Sequence, residues 1–137
     1  MAKICLNSRD ELIILDLERV AFFQANGNYT LLTYLSGQKQ LLTLGLSKIE
    51  TVIRAATPPG HRGTFLRLGR SLIVNKQYII TISVTKQKLY LGDYTCPMFG
   101  ISVSKPLLKA LKDEIAASYS SPHGQTTENK ADDSKPL

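Results

Sequence analysis

Short apolar segments separated by turn residues follow one another along most of this chain, and no other sequence feature constrains its fold as strongly. Segments of this length are typical of β-strands and too short for ordinary helices. The predicted strands are residues 12–15, 20–25, 29–35, 40–44, 65–68, 72–74, 78–84, 89–91 and 95–103. Asn26, Gly27 and Asn28 form a strong turn signal between two of them, since Asn and Gly tolerate positive φ. The pattern predicts antiparallel hairpins rather than alternating strand–helix units.

Two short helices are expected among the strands. The first covers an apolar stripe within residues 46–56. Ser47 and Glu50 there have the spacing of a capping box, in which the two side chains satisfy backbone donors of the first turn. The second begins near Ser104 or Lys105, with Pro106 in its first turn, where a missing N–H costs little. The predicted fold class is therefore mainly β, with antiparallel strands and hairpins in small packed sheets and two short helices.

A single ordered domain is predicted over residues 1–117. The hydrophobic fraction of 43% is that of a globular protein, and a chain of this size can bury a core without metal or disulfide staples. Beyond about residue 117 the apolar pattern stops, so residues 118–137 are predicted to form a disordered polar tail. The two cysteines, Cys5 and Cys96, lack CxxC spacing and are expected to be buried apolar side chains, with a disulfide between them left open.

Positive charge is concentrated in the middle of the chain. The net charge is +6, but residues 36–112 alone contain twelve basic side chains and only two acidic ones, Glu50 and Asp93. The segments on both sides of this block are net negative. Such a block is expected where one face of a protein meets a polyanion.

Several classes of function find no support in the sequence. The histidines are His61 and His123, and none of the HExxH, GxSxG, P-loop or GxGxxG motifs is present. Two cysteines and one histidine within the predicted domain do not readily build a structural zinc site. No segment reads as a membrane span or a signal peptide. We therefore expect a cytoplasmic protein that is not an enzyme, with no catalytic residues, bound metal, cofactor or membrane partner.

The segment 64–75 is the most informative part of the chain. Arg67 and Arg70 lie on either side of Gly69, between two apolar strands. Guanidinium groups at a strand end can contact phosphate or the O6/N7 edge of guanine. The alternative is that both arginines pair with carboxylates, but few acidic residues lie nearby in the sequence. For Asn75, at the end of the second strand, a structural role in the backbone of a turn is favoured.

Six short segments together resemble a known family. They read Phe-Phe-Gln-Ala at 22–25, Asn-Tyr-Thr at 28–30, Leu-Ser-Lys-Ile-Glu at 46–50, Phe-Leu-Arg at 65–67, Arg-Ser-Leu-Ile-Val-Asn at 70–75 and Ile-Ser-Val-Ser at 101–104. In this order and spacing they resemble the LytTR DNA-binding domain, over about residues 5–115. No single segment is specific, and the resemblance depends on all six.

The resemblance implies a small antiparallel β fold that binds DNA through loops entering successive major grooves. The residues that it implies as DNA contacts are Asn26, Asn28, Tyr29, Arg67, Arg70, Ser71, Ser104 and Lys105. Gly69 stands where the family usually has a histidine, and Ser104 stands where it usually has an arginine. Lys105 beside it cannot reproduce the bidentate reading of guanine. The usual target sequence of the family is therefore not expected to carry over unchanged.

The predicted function is that of a bacterial-type transcriptional regulator that binds specific double-stranded DNA sequences. It corresponds to the output domain of a response regulator, and we expect no receiver domain within the chain. A homodimer on repeated half-sites, a separate signalling partner or the expression level of the chain would then provide regulation. The alternatives are a small β module that binds RNA or single-stranded nucleic acid and a basic protein-interaction module. The first of these depends on exposed aromatic rings, whereas most aromatic residues here fall within apolar strand patterns.

Overall fold

The computed structural model describes residues 3–60, 63–94 and 99–119, which form ten strands and two α-helices. The strands are β1 (Lys3–Asn7), β2 (Leu12–Asp16), β3 (Val20–Asn26), β4 (Tyr29–Tyr34), β5 (Lys39–Leu42), β6 (Phe65–Leu68), β7 (Leu72–Asn75), β8 (Ile79–Ser83), β9 (Lys88–Leu91) and β10 (Phe99–Ser102). The helices are α1 (Leu46–Ala56) and α2 (Lys105–Tyr119). This is the mainly β architecture with two helices that the apolar pattern predicts.

The largest sheet has five strands in the order β5-β4-β3-β7-β6, each antiparallel to its neighbours. β3 and β4 form a hairpin that closes between Asn26 and Tyr29. β7 pairs with the other edge of β3, with Gln24 opposite Leu72. β6 and β7 form a second antiparallel hairpin. Because β3 ends where β7 begins, the β3–β4 turn and the β6–β7 turn lie at the same end of the sheet.

One face of this sheet forms a hydrophobic core with the β1–β2 hairpin and α1. In the sheet, Phe23 lies opposite both Leu32 and Ile73, so the three side chains share one face and all are buried. Helix α1 packs against β1, β3 and β7 and contributes Ile49 and Ile53 to the same core. The apolar face of α1 therefore packs directly on β3 and β7. β3 leads into the β3–β4 turn, and β7 follows the β6–β7 turn.

The chain divides into two compact units by its internal contacts. The first contains the residues up to Thr81 together with Leu89–Ile101, and it includes the five-stranded sheet and the antiparallel β1–β2 hairpin. The second contains Ile82–Lys88 and the chain from Ser102 onward, including α2. β8, β9 and β10 form a three-stranded sheet with β9 in the middle.

β1 is a strand that the apolar pattern does not predict. Ile4 and Leu6 are buried, whereas Cys5 between them is exposed and free. The expectation of a buried Cys5 is wrong, because successive side chains of a strand point to opposite faces and its two neighbours occupy the inner one. Cys96 lies outside the described residues.

The start of α1 also differs from the prediction. The helix begins at Leu46, and no side chain caps its first turn. The predicted capping box is therefore wrong: Ser47 lies inside the helix, and the Glu50 carboxylate pairs with Arg54 and Arg67 instead.

α2 begins where the sequence predicts, with Pro106 at its second position. It ends at Tyr119, two residues past the predicted boundary at residue 117. The rest of the predicted tail, residues 120–137, lies outside the described residues, as do residues 95–98 at the start of the predicted strand 95–103. Neither described helix has both the length and the apolar character needed to cross a bilayer.

Asn75 has the structural role that the sequence favours. Its side chain is 1% exposed, and its Nδ2 donates to the carbonyl oxygens of Val20 at 3.0 Å and Leu17 at 3.4 Å. Its Oδ1 accepts from the backbone N–H of Gln77 at 3.1 Å. One buried amide therefore links the end of β7 to the start of β3, more than fifty residues earlier in the chain.

Candidate nucleic-acid interface

Two of the predicted contact turns lie side by side in the first unit. Beyond the paired residues Gln24 and Leu72, the backbone N–H of Ala25 donates to the carbonyl oxygen of Ser71 at 2.8 Å. This bond joins the last residues of β3 to the β6–β7 turn, so the turns that carry Asn26 and Arg70 are neighbours at one end of the sheet. The structure thus brings together segments that are about 45 residues apart in the sequence.

The β3–β4 turn presents polar and aromatic groups to solvent. Gly27 has φ +64°, a left-handed conformation that glycine adopts without steric cost. Asn26 and Asn28 are exposed, and 46% of Tyr29 is exposed. Behind the turn, the buried Thr30 hydroxyl donates to the carbonyl oxygen of Leu44 at 2.8 Å and ties the start of β4 to the segment before α1.

Tyr29 also borders a shallow depression that sequence reasoning does not predict. The depression has a volume of about 550 Å³ and is lined by Ser8, Arg9, Asp10, Glu11, Tyr29 and Thr43. The β1–β2 turn and Tyr29 of β4 therefore border the same depression, and one basic and two acidic residues are among those that line it. Residues 8–11 carry no motif that could have indicated this neighbourhood.

Arg67 is bound to its own turn and to helix α1. Its Nε donates to the carbonyl oxygen of Gly69 at 2.9 Å, and its Nη2 donates to that of Arg70 at 3.1 Å. Its Nη1 donates to Oε1 of Glu50 at 2.6 Å. Only 23% of the Arg67 side chain is exposed. The guanidinium group thus forms three hydrogen bonds within the protein. The family resemblance of the sequence instead implies a DNA contact for this residue.

Glu50 is the acidic partner that sequence proximity does not reveal. It lies 17 residues before Arg67, on α1, and its other carboxylate oxygen accepts from Nη2 of Arg54 at 2.8 Å. The inference that few acids are near enough to pair with these arginines is therefore wrong for Arg67. An α-helix docked beside the strand supplies the carboxylate.

Arg70 differs from Arg67 in its surroundings. Both Arg70 and Ser71 are exposed. With the residues that the structure describes, the Arg70 side chain forms neither a hydrogen bond nor an ion pair; its carbonyl oxygen alone accepts from Arg67. Its five N–H donors, which have no partner among the described residues, can meet a ligand at the end of the sheet.

The backbone conformation at position 69 explains why a glycine is found there. Gly69 has φ +65°, in the left-handed region. Glycine occupies this region freely, and histidine, the usual residue of the family pattern, enters it more often than most residues do. The departure from the pattern thus suits the left-handed conformation of this residue and removes an imidazole.

Substitutions at Gly69 are expected to rank by their tolerance of this conformation. Gly69→Val should lower the free energy of unfolding by about 1–2 kcal/mol, because a β-branched residue is strained at positive φ. Gly69→Asn should cost less. Urea denaturation of the three proteins measures the difference, and equal stabilities for Val and Asn would contradict the proposed source of strain.

Ser104 and Lys105 belong to the second unit and take no part in the contact between the two turns. Both are exposed at the start of α2, where the carbonyl oxygen of Ser104 accepts from the N–H of Leu108 at 3.0 Å. In the same unit, Nζ of Lys88 donates to Oγ of Ser102 at 3.0 Å. The predicted late loop thus exists as the two residues between β10 and α2 and the first residue of the helix.

The described residues hold no arrangement typical of metal binding. Within residues 3–60, 63–94 and 99–119, no three His, Cys, Asp or Glu side chains are close enough to hold a metal ion.

Burial raises the pKa of Tyr34, and burial together with the charge of Glu18 raises the pKa of Tyr78. Tyr34 lies at the end of β4 opposite the β3–β4 turn.

Comparisons with known proteins agree with this geometry. The family model of the LytTr DNA-binding domain matches residues 10–116. A similar solved structure is the LytTr DNA-binding domain of a protein described as a methyl-accepting/DNA response regulator from Bacillus cereus. The two chains are 19% identical, with a TM-score of 0.54, and the match covers 84% of this chain and 97% of that one. No curated protein matches this chain. The predicted fold class is confirmed by the structural match.

Proposed function

This chain belongs to the LytTR DNA-binding domain family, and from that membership we propose that it is a transcriptional regulator that recognises specific double-stranded DNA sequences through its loops. The family is one of DNA-binding domains and is not an enzyme family. Sequence specificity and contact through loops are the parts that this proposal adds.

One observation carries the proposal: two turns with exposed polar side chains are held side by side at one end of a rigid sheet. The Ala25–Ser71 hydrogen bond joins them, and Arg70 projects from the second turn without an internal partner among the described residues. An arginine with its donors free can form the bidentate contact with guanine that is the commonest specific contact in the major groove. The basic block of residues 36–112 supports affinity, because neutralised phosphates release counterions.

The proposed contacts come from both units. They are Asn26, Asn28, Tyr29, Arg70 and Ser71 in the first unit and Ser104 and Lys105 in the second. Arg70 is the residue proposed to read a base. The hydroxyl, amide and ammonium groups of the others suit phosphate contacts, which position a protein on DNA without specifying sequence. Arg67 lies beside the first-unit residues, and its guanidinium group is bound to Glu50 and to the β6–β7 turn.

We propose further that the protein acts in the cytoplasm. A homodimer on repeated half-sites, a separate signalling partner or the expression level of the chain would provide its regulation. A stacking platform for single strands would need several aromatic rings on one surface. At the two turns, Tyr29 is the exposed ring among the described residues, whereas Phe22 and Phe23 of β3 are buried. This arrangement favours duplex DNA over single-stranded nucleic acid.

Selection of bound duplexes from a random pool tests the proposal directly. We expect a recurrent sequence to be enriched, and gel shifts at two salt concentrations to show duplex binding that weakens at least tenfold at the higher one. The selected duplex, a scrambled duplex and the single strand serve as probes. Two spaced copies of the motif in the enriched pool, with a second shifted band, would support the homodimer.

The outcome also separates the alternatives. Preference for the single strand over the selected duplex would favour the RNA or single-strand module. Salt-sensitive binding without any enriched sequence would leave a non-specific DNA-binding protein and overturn the proposed specificity. The absence of binding to every nucleic acid probe would favour a protein-interaction module.

A further inference from the structure

The β6–β7 turn is attached to the core by a chain of contacts that starts on α1. Glu50 is one residue after the buried Ile49, so the packing of the helix on the sheet determines where its carboxylate lies. This carboxylate binds the Arg67 guanidinium at 2.6 Å and that of Arg54 at 2.8 Å. Glu50 therefore stands between two arginines, and only 29% of its side chain is exposed.

The contact continues from Arg67 into the turn itself. The planar guanidinium group donates to the carbonyl oxygens of Gly69 and Arg70 through Nε and Nη2, while Nη1 faces Glu50. These carbonyl groups belong to two successive peptide units, and binding both to one rigid fork leaves little freedom for the backbone between them. The Cα of Arg70, from which its side chain leaves the backbone, lies between these two peptide units.

We propose that Glu50 and Arg67 are positioning residues that hold the β6–β7 turn in the shape from which Arg70 reads DNA. The inference rests on the proposed function for its consequence in DNA binding, although its effect on the turn is measurable without DNA. It replaces the direct contact that the sequence assigns to Arg67 by an indirect one. Glu50, which the sequence selects only as a helix cap and not for DNA binding, becomes part of the recognition apparatus.

The sign of the expected effect distinguishes positioning from simple electrostatics. Removing an acidic side chain close to a polyanion binding site should strengthen binding to any duplex, because one repulsive charge is lost. Removing a positioning residue should instead weaken binding to the selected duplex, because Arg70 no longer starts from the productive geometry. The two effects have opposite signs for the same substitution.

The test compares Glu50→Ala with Glu50→Gln and with Glu114→Ala. Glu114 is exposed on α2, so Glu114→Ala changes the net charge equally without touching the turn. Glu50→Ala should weaken binding to the selected duplex about three- to tenfold and leave binding to a scrambled duplex equal or stronger. Glu50→Gln keeps an acceptor oxygen for Arg67 and should restore most of the affinity. Arg67→Lys, which keeps the charge but lacks the fork, should behave like Glu50→Ala.

A second measurement uses the free protein. The amide signals of Gly69, Arg70 and Ser71 in ¹⁵N-labelled protein should shift in Glu50→Ala and Arg67→Lys and stay in place in Glu114→Ala. Melting temperatures identify any variant that is not folded, and Arg67→Lys remains as an independent variant if Glu50→Ala is unstable. Unchanged turn signals would overturn the positioning inference. So would a selected-duplex affinity in Glu50→Ala as high as in Glu114→Ala.

Failure of this inference differs from failure of the proposed function. If the wild-type protein selects no duplex, the proposed function fails, while the amide signals still test whether Glu50 shapes the turn. If the wild-type protein selects a duplex and Glu50→Ala keeps both the affinity and the turn signals, only the positioning role fails.

Discussion

Replacing Arg70 with alanine is expected to lower the affinity for the selected duplex by roughly 5- to 150-fold, the equivalent of about 1–3 kcal/mol for a bidentate contact with a base. Arg70 is exposed at the end of the sheet, and the substitution removes no hydrogen bond or ion pair between its side chain and the described residues. The loss of affinity should be specific to the selected duplex. Binding to a scrambled duplex should change much less, as measured by competition gel shifts.

Two further variants make the result for Arg70 decisive. Arg70→Lys keeps the positive charge but not the planar fork, so it should keep non-specific affinity and lose discrimination at one base pair. Lys86→Ala removes an equal charge from the exposed turn after β8 and serves as the control. Equal losses on selected and scrambled duplexes would make Arg70 a phosphate contact. If Arg70→Ala and Lys105→Ala combined leave duplex affinity unchanged, the proposed contact residues are wrong.

Asn75→Ala is expected to lower the free energy of unfolding by about 2–3 kcal/mol. The substitution leaves the carbonyl oxygens of Leu17 and Val20 and the N–H of Gln77 without their side-chain partner at a site that is 1% exposed. An unsatisfied buried polar group costs about 1–3 kcal/mol, and these three groups face a single side chain. Denaturation in urea, followed by circular dichroism, measures the change.

The controls for Asn75 distinguish the effect of its burial from the effect of replacing any asparagine with alanine. Asn7→Ala makes the same chemical change at an exposed position of β1 and should alter stability by less than about 0.5 kcal/mol. Asn75→Asp keeps an acceptor for the Gln77 N–H but turns a second oxygen toward two carbonyl groups, so it should destabilise at least as much as alanine. A stability for Asn75→Ala within 0.5 kcal/mol of the Asn7→Ala protein would contradict the structural role of the amide.

Local patterns predicted the strands and helices well where the physical cause is local. Short apolar segments bounded by turn residues indicate the strands in 20–25 and 29–35, because both the segment and its turn depend on neighbouring residues alone. Pro106 marks the first turn of α2 for an equally local reason, its missing N–H. β1 escaped prediction because Lys3–Asn7 has only two inward positions, and its burial depends on α1 and β2. The capping box failed because the Glu50 carboxylate pairs with Arg54 one turn later in the helix and with Arg67 outside it.

The candidate site was predictable only in part. The turn at Gly27 follows from the tolerance of Asn and Gly for positive φ, and Gly27 has φ +64° in the structure. Which arginine projects and which is bound could not follow from spacing, since Arg67 and Arg70 have similar neighbours in the sequence. Their difference arises from an acidic side chain on a distant helix.

By itself, the sequence determined the class of fold, the order of its strands and turns, and the concentration of positive charge, since each depends on the identity and spacing of neighbouring residues. Only the tertiary structure decided that the turns with Asn26 and Arg70 meet, that Arg67 is bound, and that Asn75 joins two distant strands. These features depend on pairing between segments far apart in the chain. Such pairing is set by the packing of the whole core, which no short stretch of residues specifies.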